Sequence, residues 1–255
     1  MTLLSELRMG LAQTLAKLGA MSWFLVRLIA LVPRALPRFG LIVQQIFNSG
    51  TQSIVIIMLS GLFVGMVLGL QGFQLLQRFG SAEALGVAAA IGLVKELGPV
   101  VTGLLFAGRA GTALASELGL MGATDQLSAM EMMAVDPVQR VVVPRFIGGV
   151  LSMPLLAAIF SVIGIYGAQL VGVQIMGVDS GSFWSQMRAG VQGRDITEGI
   201  VKSCIFGVAC SLIAVYEGYY AVPTAEGIGR ATTRTVVTSA VIVLFLDYLL
   251  TSAFL

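Results

Sequence analysis

Histidine is absent from the 255 residues. Its absence removes Ser-His-Asp catalysis, histidine-ligated metal sites and HExxH-type proteolysis together. Charge is scarce as well: 11% of residues carry it, against about 25% in ordinary soluble domains. The net charge of +2 is too small to suggest a nucleic-acid partner. Cysteine occurs only as Cys204 and Cys210, six positions apart in one apolar run. That spacing puts them on different helix faces, so they read as small apolar fillers and not as a disulfide or metal pair. None of Lys17, Lys95 and Lys202 stands in a GxxxxGK[ST] context, so the chain has no P-loop. If it is part of a pump, the energy enters through another subunit. Residues 1–20 carry Glu6 early and lack a continuous apolar stretch, so no secretory signal peptide is expected. No repeat, low-complexity tract or soluble-domain boundary interrupts the chain.

What is present is apolar: 57% of residues are hydrophobic, which places the chain in a membrane. At the start, Leu4, Leu7, Leu11, Leu15 and Leu18 recur at helical spacing among Glu6, Arg8, Gln13 and Lys17. This predicts an amphipathic helix lying along the membrane surface, with a soluble helix packed on a partner as the alternative. A basic elbow follows at Arg27, Pro33, Arg34, Pro37 and Arg38. Spans are expected at about 50–76, 84–108, a run to about 222, and 235–255, with a charged connection over 109–145 and a loop around 179–198. The uncharged run 146–178 is ambiguous. As one helix it would be about 50 Å long, against a hydrocarbon core of roughly 30 Å, so a hairpin and six crossings are conceivable. Loop charges favour a cytoplasmic N-terminus with either topology. No turn dipeptide interrupts "AAIFSVIGIYGAQ", and one long helix is preferred.

Three features carry more than packing information. Gly61, Gly65 and Gly69, and separately Gly164, Ala168 and Gly172, form small-residue stripes that suit close helix contact and point to a tight bundle, with a dimer as a further option. Lys95, Glu96, Lys202, Glu217 and Asp247 lie within or beside spans, where a charge costs at least about 2.5 kcal/mol and normally faces protein or a wet cavity. Adjacent helix positions diverge by about 100°, so Lys95 and Glu96 each need their own partner. Pro99 cannot donate to the Lys95 carbonyl, and an interrupted helix is expected at that level. In the connection, Ser128 and Glu131 have capping-box spacing, Asp136-Pro137 signals a stop, and Met121, Met130, Met132 and Met133 cluster. Flexible thioethers suit a docking surface for a partner protein. An interfacial helix on lipid headgroups is the alternative.

The segments "GLQG" (69–72), "KELGPV" (95–100), "FAGRAGTALASELGLM" (106–121), "TDQLSAMEMMAVDP" (124–137), "PRF" (144–146) and "PTAEGIGRATTRTVV" (223–237) resemble the MlaE-type permease family. These are membrane subunits of ABC transporters that act with MCE-domain proteins to move phospholipids between the inner and outer membranes. The resemblance implies an all-α integral membrane protein: one permease domain over 1–255, with an interfacial elbow helix over 1–45 and five transmembrane helices over 46–255. A cytoplasmic coupling helix is implied at about 112–136. It also implies a homodimer in the bacterial inner membrane, N-terminus cytoplasmic and C-terminus periplasmic. The implied partners are two cytoplasmic ABC ATPases that bind the ATP and magnesium, a STAS-domain protein, and a periplasmic MCE-domain hexamer. No cofactor is implied in this chain, and no catalytic or metal residue.

By the same resemblance Leu68, Leu75, Leu76 and Phe79 line a lipid cavity at the dimer seam, with Lys95 and Glu96 as its polar floor. Asp195, Lys202 and Asp247 match further positions along a polar path. Glu117, Met121, Asp125, Met130, Glu131 and Met133 match the ATPase-coupling segment. Lys95 stands where many members carry Arg, and Asp125 where many carry Glu. The first departure weakens a bidentate phosphate clamp at that position. The competing function is an ion-coupled secondary transporter of an amphiphilic solute, in which Lys95, Glu96 and Asp247 bind a proton or sodium ion. A scaffold that transports nothing is the third.

Overall fold

The computed structural model describes the backbone of residues 2–35, 37 and 39–254, and their side chains except at 2–15, 18 and 35. Among the described residues the chain is 91% helical and has no strand. Helix α1 is Thr2–Ala35; α2 is Phe39–Arg78 and α3 is Ala82–Ala123. The short α4, Gln126–Met132, leads to α5, Val138–Ile175. A second short helix, α6 (Ser180–Gly190), precedes α7, Gly193–Tyr219, and α8, Ala225–Phe254. Helices α2, α3, α5, α7 and α8 are long and apolar enough to cross a membrane. Because they alternate in direction, α4 sits at one end of the bundle and α6 at the other.

The ambiguous run 146–178 is one helix over most of its length, within the 38 residues of α5. Three sequence boundaries need correction. The first span begins at Phe39 and the last at Ala225, each about ten residues earlier than hydropathy alone suggests. The connection 109–145 is mostly helix, since α3 continues to Ala123. Its charges are accommodated on the bundle: Arg109 donates to Gln52 at 2.7 Å, and Arg145 lies 3.3 Å from Glu117. The segment 112–136 thus divides between the end of α3, which runs to Ala123, and the separate short helix α4. Nor do Ser128 and Glu131 form a capping box. Asp125, in the left-handed region at φ 56°, precedes α4, and Ser128 lies inside it. Asp136 ends one element by starting another, its Oδ1 accepting from the Val138 amide at 2.9 Å. The expected loop at 179–198 is likewise largely α6 and the first turns of α7. Asp179 caps α6 by accepting from the Ser182 amide at 2.7 Å.

The small-residue stripes meet each other inside the chain. Gly61, Gly65 and Gly69 on α2 lie against the backbone of Phe160, Gly164 and Ala168 on α5, and a Cβ at Gly65 would overlap the Gly164 carbonyl. Such backbone approach is how helices gain packing energy where lipid removes the hydrophobic difference. Gly72 and Gly172 close on Leu85, which is fully buried. The stripes are thus consumed by the α2–α5 contact and by the seat of α3. Helices α5 and α7 form the centre, with 50% and 56% of their most apolar windows buried, and α8 is peripheral at 11%.

Helix α1 packs on the α4 end through Met21, Phe24, Leu28 and Leu31, spaced three, four and three apart along one face. Phe24, Leu28 and Leu31 join Leu118, Val138, Val142, Phe146 and Val215 in one cluster. Trp23, Val26 and Ile29 are left exposed on other faces. The leucine ladder Leu4 to Leu18 rests on side chains outside the described ones.

Candidate functional site

Lys95, Glu96, Lys202 and Asp247 converge near the α6 end, where α3, α7 and α8 pack together, whereas Glu217 lies at the α4 end and pairs with Lys17 of α1. In α3 the residues Gly92–Leu97 form a π-turn, one extra residue in the helical ring, ending two positions before Pro99. The expected break at Pro99 therefore takes a milder form: the helix widens and continues. Widened turns free backbone groups and often mark functional positions. Here the Ser161 hydroxyl of α5 donates to the Leu93 carbonyl at 3.3 Å and to the Ala157 carbonyl at 2.9 Å.

Lys95 and Glu96 point to different partners, as their angular separation requires. Lys95 Nζ lies 2.7 Å from Glu198 and 3.6 Å from Asp195, both on α7. Glu198 also accepts from Arg194 at 2.8 Å. Glu96 accepts from Lys202 Nζ at 2.7 Å, and the same ammonium reaches Thr251 at 2.7 Å and Asp247 at 3.3 Å, both on α8. Thr251 in turn donates to Glu96 at 3.2 Å. Lys202 is fully buried and all three ammonium protons are used. Low dielectric strengthens each of these contacts and makes any orphaned member costly. Asp195 also fixes the start of α7, where its Oδ2 accepts from the Gln192 amide at 3.0 Å.

The structure thus sorts the five residues into two adjoining clusters, Lys95 and Asp195 with Glu198 and Arg194, and Glu96, Lys202 and Asp247 with Thr251, bordering each other at positions 95 and 96 of α3. Glu198, Arg194 and Thr251 are members that residue types alone do not single out. A signal for Glu198 is nevertheless present: Asp195, Glu198 and Lys202 are three and four apart, on one face of α7. Beside the clusters runs an apolar groove of about 240 Å³ between α3, α5 and α7, lined by Val94, Pro99, Pro154, Ile196, Gly199 and Ser203 among others. Charges held at the edge of an apolar groove suit an amphiphilic ligand.

The four apolar positions expected at the seam divide into two kinds. Leu75 and Phe79 are exposed, at 58% and 75%. Leu68 and Leu76 are half-buried against the chain's own clusters. Of the residues expected to couple to an ATPase, Met133, Asp125, Glu131 and Glu117 are exposed, whereas Met121 and Met130 pack partly onto the core with Leu118 and Val138. Met132, at 85%, is the most exposed of the cluster.

A profile of the family described as "Permease MlaE" matches residues 42–253. The chain belongs to the MlaE permease family. Among MlaE relatives it is 55% identical, over 86% of this chain and 85% of the other, to the intermembrane phospholipid transport system permease protein MlaE of Haemophilus influenzae. It is 35% identical, over 93% of this chain and 92% of the other, to a probable ABC transporter permease protein of Rickettsia bellii. A more distant relative is the chloroplastic protein Trigalactosyldiacylglycerol 1 of Arabidopsis thaliana, 30% identical over 83% of this chain and 60% of the other.

Proposed function

We propose that this chain is the permease subunit of an ABC transporter that moves phospholipid between the inner and outer membranes. The observation that carries the reading is 55% identity, across most of both chains, to a relative named for intermembrane phospholipid transport. The site geometry agrees with it: charge clusters beside an apolar groove can receive a headgroup and an acyl chain at once.

In this reading the chain works as a homodimer in the bacterial inner membrane, with the α4 end in the cytoplasm. The charges support that orientation, since Lys17, Arg27, Arg34, Arg140, Arg145, Arg230 and Arg234 lie toward the α4 end and Arg78, Arg188 and Arg194 toward the other. The exposed Met132 and Met133 face a cytoplasmic ABC ATPase, which binds ATP and magnesium and carries the STAS-domain protein. A periplasmic MCE-domain hexamer sits over the α6 end. Leu75 and Phe79 offer the dimer seam an apolar wall for acyl chains, and Lys95, Glu96, Asp195, Lys202 and Asp247 form the polar floor. Purification in mild detergent with a photo-crosslinking residue at Leu75 tests this reading. An ATPase should be retained, and the crosslink should capture phospholipid. A chain that purifies alone and crosslinks only to protein would contradict it.

A further inference from the structure

We propose a second polar site, at the α4 end between α2 and α3, that binds a phosphate group through Arg109. A cavity of about 100 Å³ opens there, lined by Gln45, Asn48 and Gln52 of α2 and by Arg109 and Glu117 of α3, among others. Two π-turns border it, Phe47–Thr51 in α2 and Ala107–Gly111 in α3, so both walls depart from regular helix at the same level.

The charge balance distinguishes this cavity from the clusters at the other end. There, Lys95, Lys202 and Arg194 are each paired with at least one carboxylate, and the three cations meet four carboxylates, Glu96, Asp195, Glu198 and Asp247. An anionic group entering there has to compete with a carboxylate for each cation. Arg109 is different. It is half-buried within a membrane-crossing helix, and among the described residues no carboxylate pairs with it. Its Nη2 donates to Gln52 Oε1 at 2.7 Å, which engages one of five guanidinium donors. The carboxylate that also lines the cavity, Glu117, is held 3.3 Å from Arg145. What remains is one net positive charge surrounded by amide side chains that can donate.

A half-buried guanidinium with open donors in a small polar cavity suits an anion, and its planar bidentate geometry favours phosphate or carboxylate. The volume exceeds that of a single water, about 30 Å³, and suits a tetrahedral oxyanion but not a nucleotide. A position between two spans at one end of the bundle favours phosphate, carried by a lipid headgroup or free in solution. The proposal concerns binding alone and holds whatever the direction or energy source of transport.

The test uses the full chain in nanodiscs with a photo-crosslinking residue at Asn48. Phosphate-labelled phospholipid and labelled diacylglycerol are compared as probes, and [³²P]orthophosphate binding is measured by equilibrium dialysis. Phospholipid should be captured at least tenfold more than diacylglycerol, and capture should fall at least tenfold in Arg109→Gln while surviving in Arg109→Lys. Gln52→Glu supplies Arg109 with the carboxylate it lacks, and should abolish capture while leaving the melting temperature at or above that of the parent. Arg109-dependent binding of orthophosphate without lipid capture would assign the site to free phosphate. Equal capture of both lipids, capture indifferent to Arg109→Gln and Gln52→Glu, or binding of neither probe would overturn the proposal.

Discussion

Lys202→Met removes the one ammonium that joins α3, α7 and α8. In the native protein Lys202 Nζ holds Glu96 and Thr251 at 2.7 Å and Asp247 at 3.3 Å, with no solvent exposure of its own. Methionine fills similar volume, so the cost is electrostatic: two carboxylates are left facing each other. Breaking a buried pair by deleting one partner costs about 3–5 kcal/mol. Glu96 and Asp247 keep 35% and 23% side-chain exposure, so water or a proton relieves part of the strain. The lower end, about 3 kcal/mol, is therefore expected. Glu96→Gln should be milder, about 1.5 kcal/mol, because the amide oxygen still accepts and Lys202 keeps Asp247 and Thr251. The double variant Lys202→Met with Glu96→Gln should recover part of the loss, since only Asp247 then lacks a cation. Melting temperature in detergent and steady-state abundance in membranes report the order. A Lys202→Met chain as stable as the parent, or one less damaged than Glu96→Gln, would refute this reasoning.

Other expectations follow from single contacts. Glu198→Ala should lower stability by more than Lys95→Arg, because Glu198 is 5% exposed between Lys95 and Arg194 and its loss leaves two cations adjacent; thermal melting of the two variants decides. Gly65→Ala should reduce folded yield sharply through overlap with the Gly164 carbonyl, whereas Gly40→Ala, with nothing within 4 Å of its added Cβ, should not; both are read by size-exclusion chromatography. Met132→Asp and Met133→Asp should release the proposed ATPase partner in pull-down without lowering the melting temperature, since both side chains are exposed. Met130→Asp should lower the melting temperature, because that residue packs on the core.

Much of this architecture is legible in residue types, and the exceptions have identifiable causes. Four of the spans follow from apolar length, and the fifth, the long α5, follows from the lack of any turn signal in the middle of a run whose length alone leaves a hairpin open. Starts and ends are misjudged where polar residues belong to a helix and not to a loop. Gln44, Gln45 and Asn48 sit in α2, and Arg109 and Glu117 ride on α3 because Gln52 and Arg145 receive them. Those partners lie 57 and 28 positions away, a distance that no local pattern reveals. The need of Lys95 and Glu96 for separate partners is legible from helical geometry. The identity of those partners is not, since it depends on how α7 and α8 rotate against α3. Both glycine stripes are visible in the sequence, but only the assembled bundle shows that each is the other's counterpart.

Transport by the reconstituted complex tests the central claim most directly. Proteoliposomes containing this chain with the proposed ATPase and MCE-domain partners, and labelled phospholipid on one side only, are followed with and without ATP. Labelled lipid should move only when ATP and the ATPase are both present, and Lys202→Met should abolish that movement. Transfer by the chain alone, driven by a proton or sodium gradient and indifferent to ATP, would contradict the ABC-permease reading and favour an ion-coupled carrier.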